Sequence, residues 1–273
     1  MSSSQSAAVA RPDIVESLHV LADAAADQIM PHFRTRLDVS NKAEGGFDPV
    51  TVADKAAEEA IRKVLLERFP DHGIIGEEYG VHQQDAELVW VIDPIDGTRA
   101  FIQGMPTWGT LIALMENGVP VCGVMNQPFT GERYWSDGRS SYYRGPDGKV
   151  EQIGTRATSV RDAQMSTTTP DLFTTDAEIR AFTALKHETQ QCRHGADCYA
   201  YALLAAGHVD VVLETGLQIY DIAALVPIIE HAGGRVTDWS GEPAKDGGQI
   251  LACGDPSLHG QFVEILQQAM AAT

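Results

Sequence analysis

Leu88 to Ile92 form an unbroken apolar run, and the chain then reads Asp93-Pro94-Ile95-Asp96-Gly97-Thr98. A run of that kind predicts a strand, the most hydrophobic of the first half of the chain. Beyond Ile92 the chain must turn sharply, because Pro94 fixes φ and Gly97 opens the left-handed region. Such a turn can bring carboxylates three positions apart onto one point, where they repel and one pKa rises unless a cation sits between them. Hard divalent cations take oxygen ligands, and Mg²⁺ is commonly held by a few carboxylates together with a phosphate. Gly97 and Thr98 add backbone N–H groups and a hydroxyl, and a helix starting there would present its N-terminus to an anion.

Other acidic residues stand where an ordinary core would not put them. Glu77 and Glu78 come directly after the apolar Gly73–Gly76, and Asp221 opens a strongly apolar helical stretch. Taken singly, each Asp reads as a turn former or helix cap, and the Glu pair as a solvated strand end. Their joint occurrence points to a carboxylate site. His187, His194 and His208 share no face or metal-ligand spacing and read as packing or surface residues. Cys198 sits inside a helical pattern and reads as packed rather than nucleophilic.

The rest of the chain supplies elements for a layered fold. Residues 14–33 carry Ile14, Leu18, Leu21, Ala25 and Ile29 at helical spacing, and residues 51–69 repeat the pattern up to Pro70. Two hairpins are expected, turning at Asn117-Gly118 and at Asp137-Gly138. The polar stretch from Gly145 to about Gln164 marks a seam. Beyond it helix and strand patterns alternate, as in a layered α/β half. The expected division is a disordered tail over 1–11, an α+β half over 12–150 and an α/β half over 151–273.

Composition excludes several classes. With 44% hydrophobic and 21% charged residues the chain is globular. The 38 acidic and 20 basic residues give a net charge of −18, with no Lys/Arg cluster, which argues against a nucleic-acid surface. No apolar stretch is long enough to span a membrane, and the opening ten residues lack the features of a signal peptide. Cys122, Cys192, Cys198 and Cys253 form no CxxC pair and read as buried free thiols in a reducing cytoplasm.

The motif from Asp93 to Thr98, preceded by VWVI, resembles the first signature of the inositol monophosphatase superfamily, and Tyr220 to Gly234 resembles the second. GEE (Gly76–Glu78) and VTVAD (Val50–Asp54) occupy the expected places, and the likeness runs from about residue 14 to 270. It implies a layered αβαβα sandwich, a homodimer, and Mg²⁺-assisted attack of water on a phosphate monoester with two or three ions. By position, it implies that Glu77, Asp93, Asp96 and Asp221 are metal ligands, with the carbonyl of Ile95. Asp54 and Thr98 would orient and deprotonate the attacking water, with Glu77 among the catalytic set, and the Gly97 and Thr98 amides would hold phosphate. Lys42 is similar to a lysine that the family places about a dozen residues before Asp54, although the intervening AEGGFDP is longer and richer in glycine.

Within the superfamily, residues Gly195–Glu214 and the IYDIAALVPIIE beyond them resemble the Mg²⁺-dependent histidinol-phosphate phosphatases of histidine biosynthesis. Inositol phosphatases tend to carry a small apolar residue in place of Asp197 and Trp in place of Tyr220. Histidinol bears an ammonium and an imidazole, both donors, so its pocket needs acceptors, and Asp197 with Glu214 would supply two. Inositol is neutral and would leave a desolvated Asp197 poorly paired. Asp197 reads equally as an N-cap. Two other readings stand beside this one: an inositol-1-phosphate or related sugar-phosphate phosphatase, and a catalytically inactive metal-binding regulator.

Overall fold

The structure, a computed structural model, describes residues 12–36, 39–41, 49–244 and 246–272. The expected tail over 1–11 and Lys42 lie outside them.

The first helix, α1 (Pro12–Ile29), buries Leu18, Leu21, Ala22, Ala25 and Ile29 along one stripe. It stops four residues short of the expected Phe33, because Pro31 cannot continue a helix. The ribbon of β1 (Val39–Asn41) and β2 (Pro49–Thr51) leads into α2 (Val52–Arg68). Thr51 starts α2 through a capping box: its hydroxyl accepts from the Ala53 amide, and the Asp54 carboxylate accepts from the Thr51 amide. Then come β3 (Gly73–Gly76), β4 (Gly80–His82), β5 (Leu88–Asp96) and the short α3 (Thr98–Ile102). The hairpin of β6 (Gly109–Glu116) and β7 (Val119–Gln127) turns on Asn117 and Gly118, both at positive φ (50° and 78°), the mirror-image turn that suits strand twist. A second hairpin, β8 (Glu132–Ser136) with β9 (Ser141–Arg144), closes over residues 137–140, whose Asp137 accepts the amides of Arg139 and Ser140. With β10 (Val150–Ile153) these strands form one sheet, in the order β10-β9-β8-β7-β6-β5-β3-β4.

The chain passes to a second sheet between Ile153 and Gln164. It runs through β11 (Gln164–Thr167), α4 (Asp176–Glu188), β12 (Gln191–His194), α5 (Cys198–Ala205), β13 (Val211–Leu217), α6 (Ile219–Ile222), α7 (Leu225–Glu230), β14 (Arg235–Thr237), β15 (Gly248–Cys253) and α8 (His259–Ala271). The second sheet has the order β12-β11-β13-β15-β14. The helix expected over AALVPIIEHAG begins earlier and is broken into α6 and α7, because the ring of Pro227 clashes with the carbonyl four residues back, at Ala223.

The period of two along each strand divides the side chains among three cores. Trp90, Ile92, Ile112 and Leu114 pack outward against α1 and α2. Val89, Val91, Leu111 and Ala113 pack inward, against α5, α6, α7 and the inner face of the second sheet, where Val212, Ile250 and Ala252 lie. Val211, Leu213, Leu251 and Cys253 face α4 and α8 on the far side. The molecule is therefore the expected αβαβα sandwich. Strand parity puts Asp93 and Glu214 on the two faces that look into its middle layer.

Candidate active site

The strand carrying Asp93 loses register with β6 between Asp93 and Asp96. This bulge re-aims the second carboxylate. The Asp93 carboxylate accepts the Ile95 amide at 3.0 Å, Thr110 donates to the Pro94 carbonyl at 2.9 Å, and Thr98 donates to the Ile95 carbonyl at 3.0 Å. Gly97, at φ 82°, takes the left-handed conformation that turns the chain into α3. Asp221 enters from α6, which packs against β5, and its Oδ2 accepts the Gln218 amide at 2.6 Å. Among the described residues, Asp93, Asp96 and Asp221 bring one carboxylate oxygen each within 4.8 Å of one another.

These groups open into a cavity of about 890 Å³, which is also lined by Glu77, Ile95, Gly97, Thr98, Asp197 and Glu214. Burial, then the charges of Glu77, Asp96 and Asp221, hold the Asp93 carboxyl well above the usual carboxylate range, and Glu77 also hydrogen-bonds it. Asp96 is raised likewise, by burial and then by Asp197 and Asp221. Asp54 stands beside this group rather than in the cavity wall. Its Oδ2 takes both the amide and the hydroxyl of Thr51, at 2.8 and 2.6 Å, while its buried Oδ1 has no hydrogen-bond partner. Burial pushes Asp54 up to about 6, against the hydrogen bonds from Thr51 and helped by the charge of Glu77. A donor set of clustered carboxylates, with an orphaned oxygen beside it, fits a hard divalent cation.

Two further acidic residues line the same cavity. Asp197 sits at the N-cap position of α5 yet makes no cap hydrogen bond; the Asp96 carboxylate accepts the Cys198 amide instead, at 2.7 Å. Asp197 is held at φ 45°, ψ −139°, a strained conformation for a residue with a side chain. Burial raises its carboxyl to about 6, with Arg99 pulling the other way. Glu214, 4% exposed, accepts the Thr168 amide at 2.7 Å and the Tyr201 hydroxyl at 3.1 Å. Burial lifts it to about 7 in spite of those bonds.

Glu77, Asp93, Ile95, Asp96, Gly97, Thr98, Asp197, Glu214 and Asp221 thus converge on one cavity, Asp54 stands just outside it, and Lys42 lies outside the described residues. Sequence reasoning misses Arg99, Thr168 and Tyr201. Tyr201 is the one with a usable signal, since it falls one helical turn after Asp197. Thr168 falls just past the polar strand β11, which has no periodicity to mark it.

Known proteins of similar sequence and fold place the chain in a family. The model of the inositol monophosphatase family matches residues 13–271. The chain is 41% identical over 262 residues to the chloroplastic bifunctional phosphatase IMPL2 of Arabidopsis thaliana, covering 91% of this chain and 73% of that protein. It is 34% identical to a histidinol-phosphatase of Streptomyces coelicolor, covering 94% and 99%. The structure of an inositol monophosphatase from Zymomonas mobilis superposes with a TM-score of 0.85 at 41% identity, covering 95% and 99%. The fold, the acidic site and these relatives define a phosphatase, a hydrolase of phosphoric monoesters. The chain belongs to the inositol monophosphatase family. None of its described helices is long and apolar enough to cross a membrane.

Proposed function

We propose that the enzyme is a Mg²⁺-dependent histidinol-phosphate phosphatase, converting L-histidinol phosphate and water to L-histidinol and phosphate. The observation that carries this reading is the pair of carboxylates, half-buried Asp197 and buried Glu214, that line the same cavity as the triad. A neutral polyol brings O–H donors but no charge to set against these carboxylates, whereas an ammonium and a protonated imidazole bring charged N–H donors, whose hydrogen bonds are about twice as strong. The relatives named histidinol-phosphatase support the same choice.

In this reading Glu77, Asp93, Asp96, Asp221 and the Ile95 carbonyl hold Mg²⁺. Bound there, Mg²⁺ would polarise the phosphoryl oxygens and neutralise the charge that builds on them. The Gly97 and Thr98 amides bind the phosphate and fix its orientation. Asp54 turns its unpartnered Oδ1 to the attacking water and takes its proton, and Thr98 positions that water through its hydroxyl. Asp197 and Glu214 bind the leaving alcohol by its nitrogen-bearing end.

A second reading, inositol-1-phosphate or a related sugar phosphate as substrate, is favoured by the 41% identity to the Zymomonas mobilis inositol monophosphatase. Phosphate release from L-histidinol phosphate and from inositol-1-phosphate, measured with Mg²⁺ and with Asp93→Asn as control, separates the two. Preference for histidinol phosphate that vanishes in the variant supports the proposal. Equal or better turnover of inositol phosphate sinks it.

A further inference from the structure

Asp54 and Glu58 lie one turn apart on α2, and both are buried; Glu58 is wholly inaccessible. A carboxylate so placed needs partners, and Glu58 finds them in the turn just after Glu77. Its Oε2 accepts the Glu78 amide at 2.7 Å, and its Oε1 accepts the Tyr79 amide at 3.2 Å and the Arg62 Nε at 2.7 Å. Arg62 also donates to the Gly80 carbonyl, so the two side chains grip three successive residues beyond Glu77. On its other side, the Glu77 amide donates to the Ile92 carbonyl at 3.2 Å, next to Asp93. The Glu77 backbone is therefore pinned between β5 and the buried carboxylate of α2.

Gly76 makes this grip possible. A Cβ at that position would stand 2.0 Å from Glu58 Oε1 and 2.5 Å from its Cδ, so any side chain there would drive the carboxylate off the amides. The glycine of the GEE triplet is accounted for by this close approach.

We propose that Glu58 is a positioning residue for Glu77: from the same face of α2 that carries Asp54, it fixes the turn that aims Glu77 at the carboxylate cluster. The inference rests on reading Glu77 as a metal ligand. Two carboxylates of one helix then serve the site at different removes. Asp54 acts beside the reaction, and Glu58 acts through the backbone that sets Glu77.

The test is the affinity for Mn²⁺, which takes the same oxygen ligands as Mg²⁺, measured from the loss of the free ion's electron paramagnetic resonance signal. Glu58→Gln is compared with wild type and with Glu59→Gln, which makes the same change of charge at an exposed neighbour. Glu58→Gln is expected to bind Mn²⁺ roughly 10–100-fold more weakly, as when a ligand's supporting partner is removed. At saturating Mg²⁺ its kcat stays within about threefold of wild type, since the ligand itself remains, and Glu59→Gln matches wild type in both. Wild-type affinity in a folded Glu58→Gln overturns the proposal alone. Absence of saturable Mn²⁺ binding by the wild-type protein overturns the metal reading itself. A further measurement needs no variant: the Glu78 and Tyr79 amides of the wild-type protein should exchange with solvent much more slowly than an unstructured peptide, and exchange at the unprotected rate would overturn the role given to Glu58.

Discussion

The Asp96 carboxylate accepts the Cys198 amide across 102 residues of sequence, so a residue of the first sheet caps the helix that carries Tyr201. One oxygen of Asp96 orients α5, while Asp96 also contributes to the acidic triad. Asp96→Asn keeps an acceptor for that amide, and Asp96→Ala does not. Both variants should lose activity by at least the roughly 10–100-fold that removing a mere supporting partner costs. Asp96→Ala should also fall about 1 kcal/mol below Asp96→Asn in stability, the usual worth of a helix cap. Paired thermal melts and phosphate-release assays measure the two effects; equal melting temperatures would deny Asp96 its capping role.

Crowded carboxylates make the metal-free enzyme unstable at its own site. Mg²⁺ at about 100 times its dissociation constant should add roughly 2.7 kcal/mol of stability, which raises Tm by about 5–10 °C for a chain of this size. Chelation with EDTA should reverse the gain and abolish phosphate release. Asp93→Asn removes one of the repelling charges, so its melting temperature without metal should equal or exceed that of wild type, with a much smaller response to Mg²⁺. A wild-type Tm indifferent to Mg²⁺ would count against the proposed ligand set.

His19, on α1, lies edge-on to Trp135 with ring centroids 4.8 Å apart, and its Nδ1 is 3.3 Å from an Arg133 nitrogen. Burial, then the charges of Arg133 and Arg144, hold its pKa at about 4. The unfolded chain binds this proton near 6.5, so the neutral ring's contribution is fully present above that pH. It is lost as the pH falls from about 6.5 through about 4, because the unfolded state then binds protons that the folded state refuses. After discounting for the ring's partial exposure, the loss is about 1–2 kcal/mol. Urea unfolding at about pH 7.5 and about pH 4.5 should show it in wild type and show less of it in His19→Gln.

Much of this molecule is legible where one physical signal dominates. The strand before Asp93, the Asn117-Gly118 turn and the helix expected from Thr51 to Phe69 each arise from hydrophobic period or turn chemistry, and each stands within a few residues of its expected place. The edge strand β10 and the strands β11 and β12 are not legible, since they are short and polar and are paired by tertiary contacts rather than by their own pattern. The stretch DAEIRAFTALKHE is missed by hydrophobic period, although Thr175 and Glu178 form a capping box that announces α4. Within the site, the acidic motifs carry the cluster. The role of Glu58 is invisible in the sequence, because a helical Glu four residues from Asp54 reads as ordinary until the fold brings the Glu78 amide onto it. The capping of α5 by Asp96 is hidden for the same reason: the sequence offers Asp197 as the cap, and only the fold supplies a rival.

Asp197 holds its position at a cost in backbone strain, and that strain yields a last test. A side-chain-bearing residue at φ 45°, ψ −139° costs on the order of 1–3 kcal/mol, which glycine would relieve. Glycine gives back about 0.5–1 kcal/mol through the freer unfolded chain, so Asp197→Gly should be at least as stable as wild type. If Asp197 binds the cationic end of the substrate, the same variant loses a charge-assisted hydrogen bond worth about 1.5–3 kcal/mol, or roughly 10–100-fold in KM for histidinol phosphate. Turnover of inositol phosphate should change little. Asp197→Asn keeps the strain and discards the charge, so it should share the KM defect without the gain in stability. A stable Asp197→Gly enzyme that retained the wild-type KM for histidinol phosphate would remove Asp197 from substrate recognition.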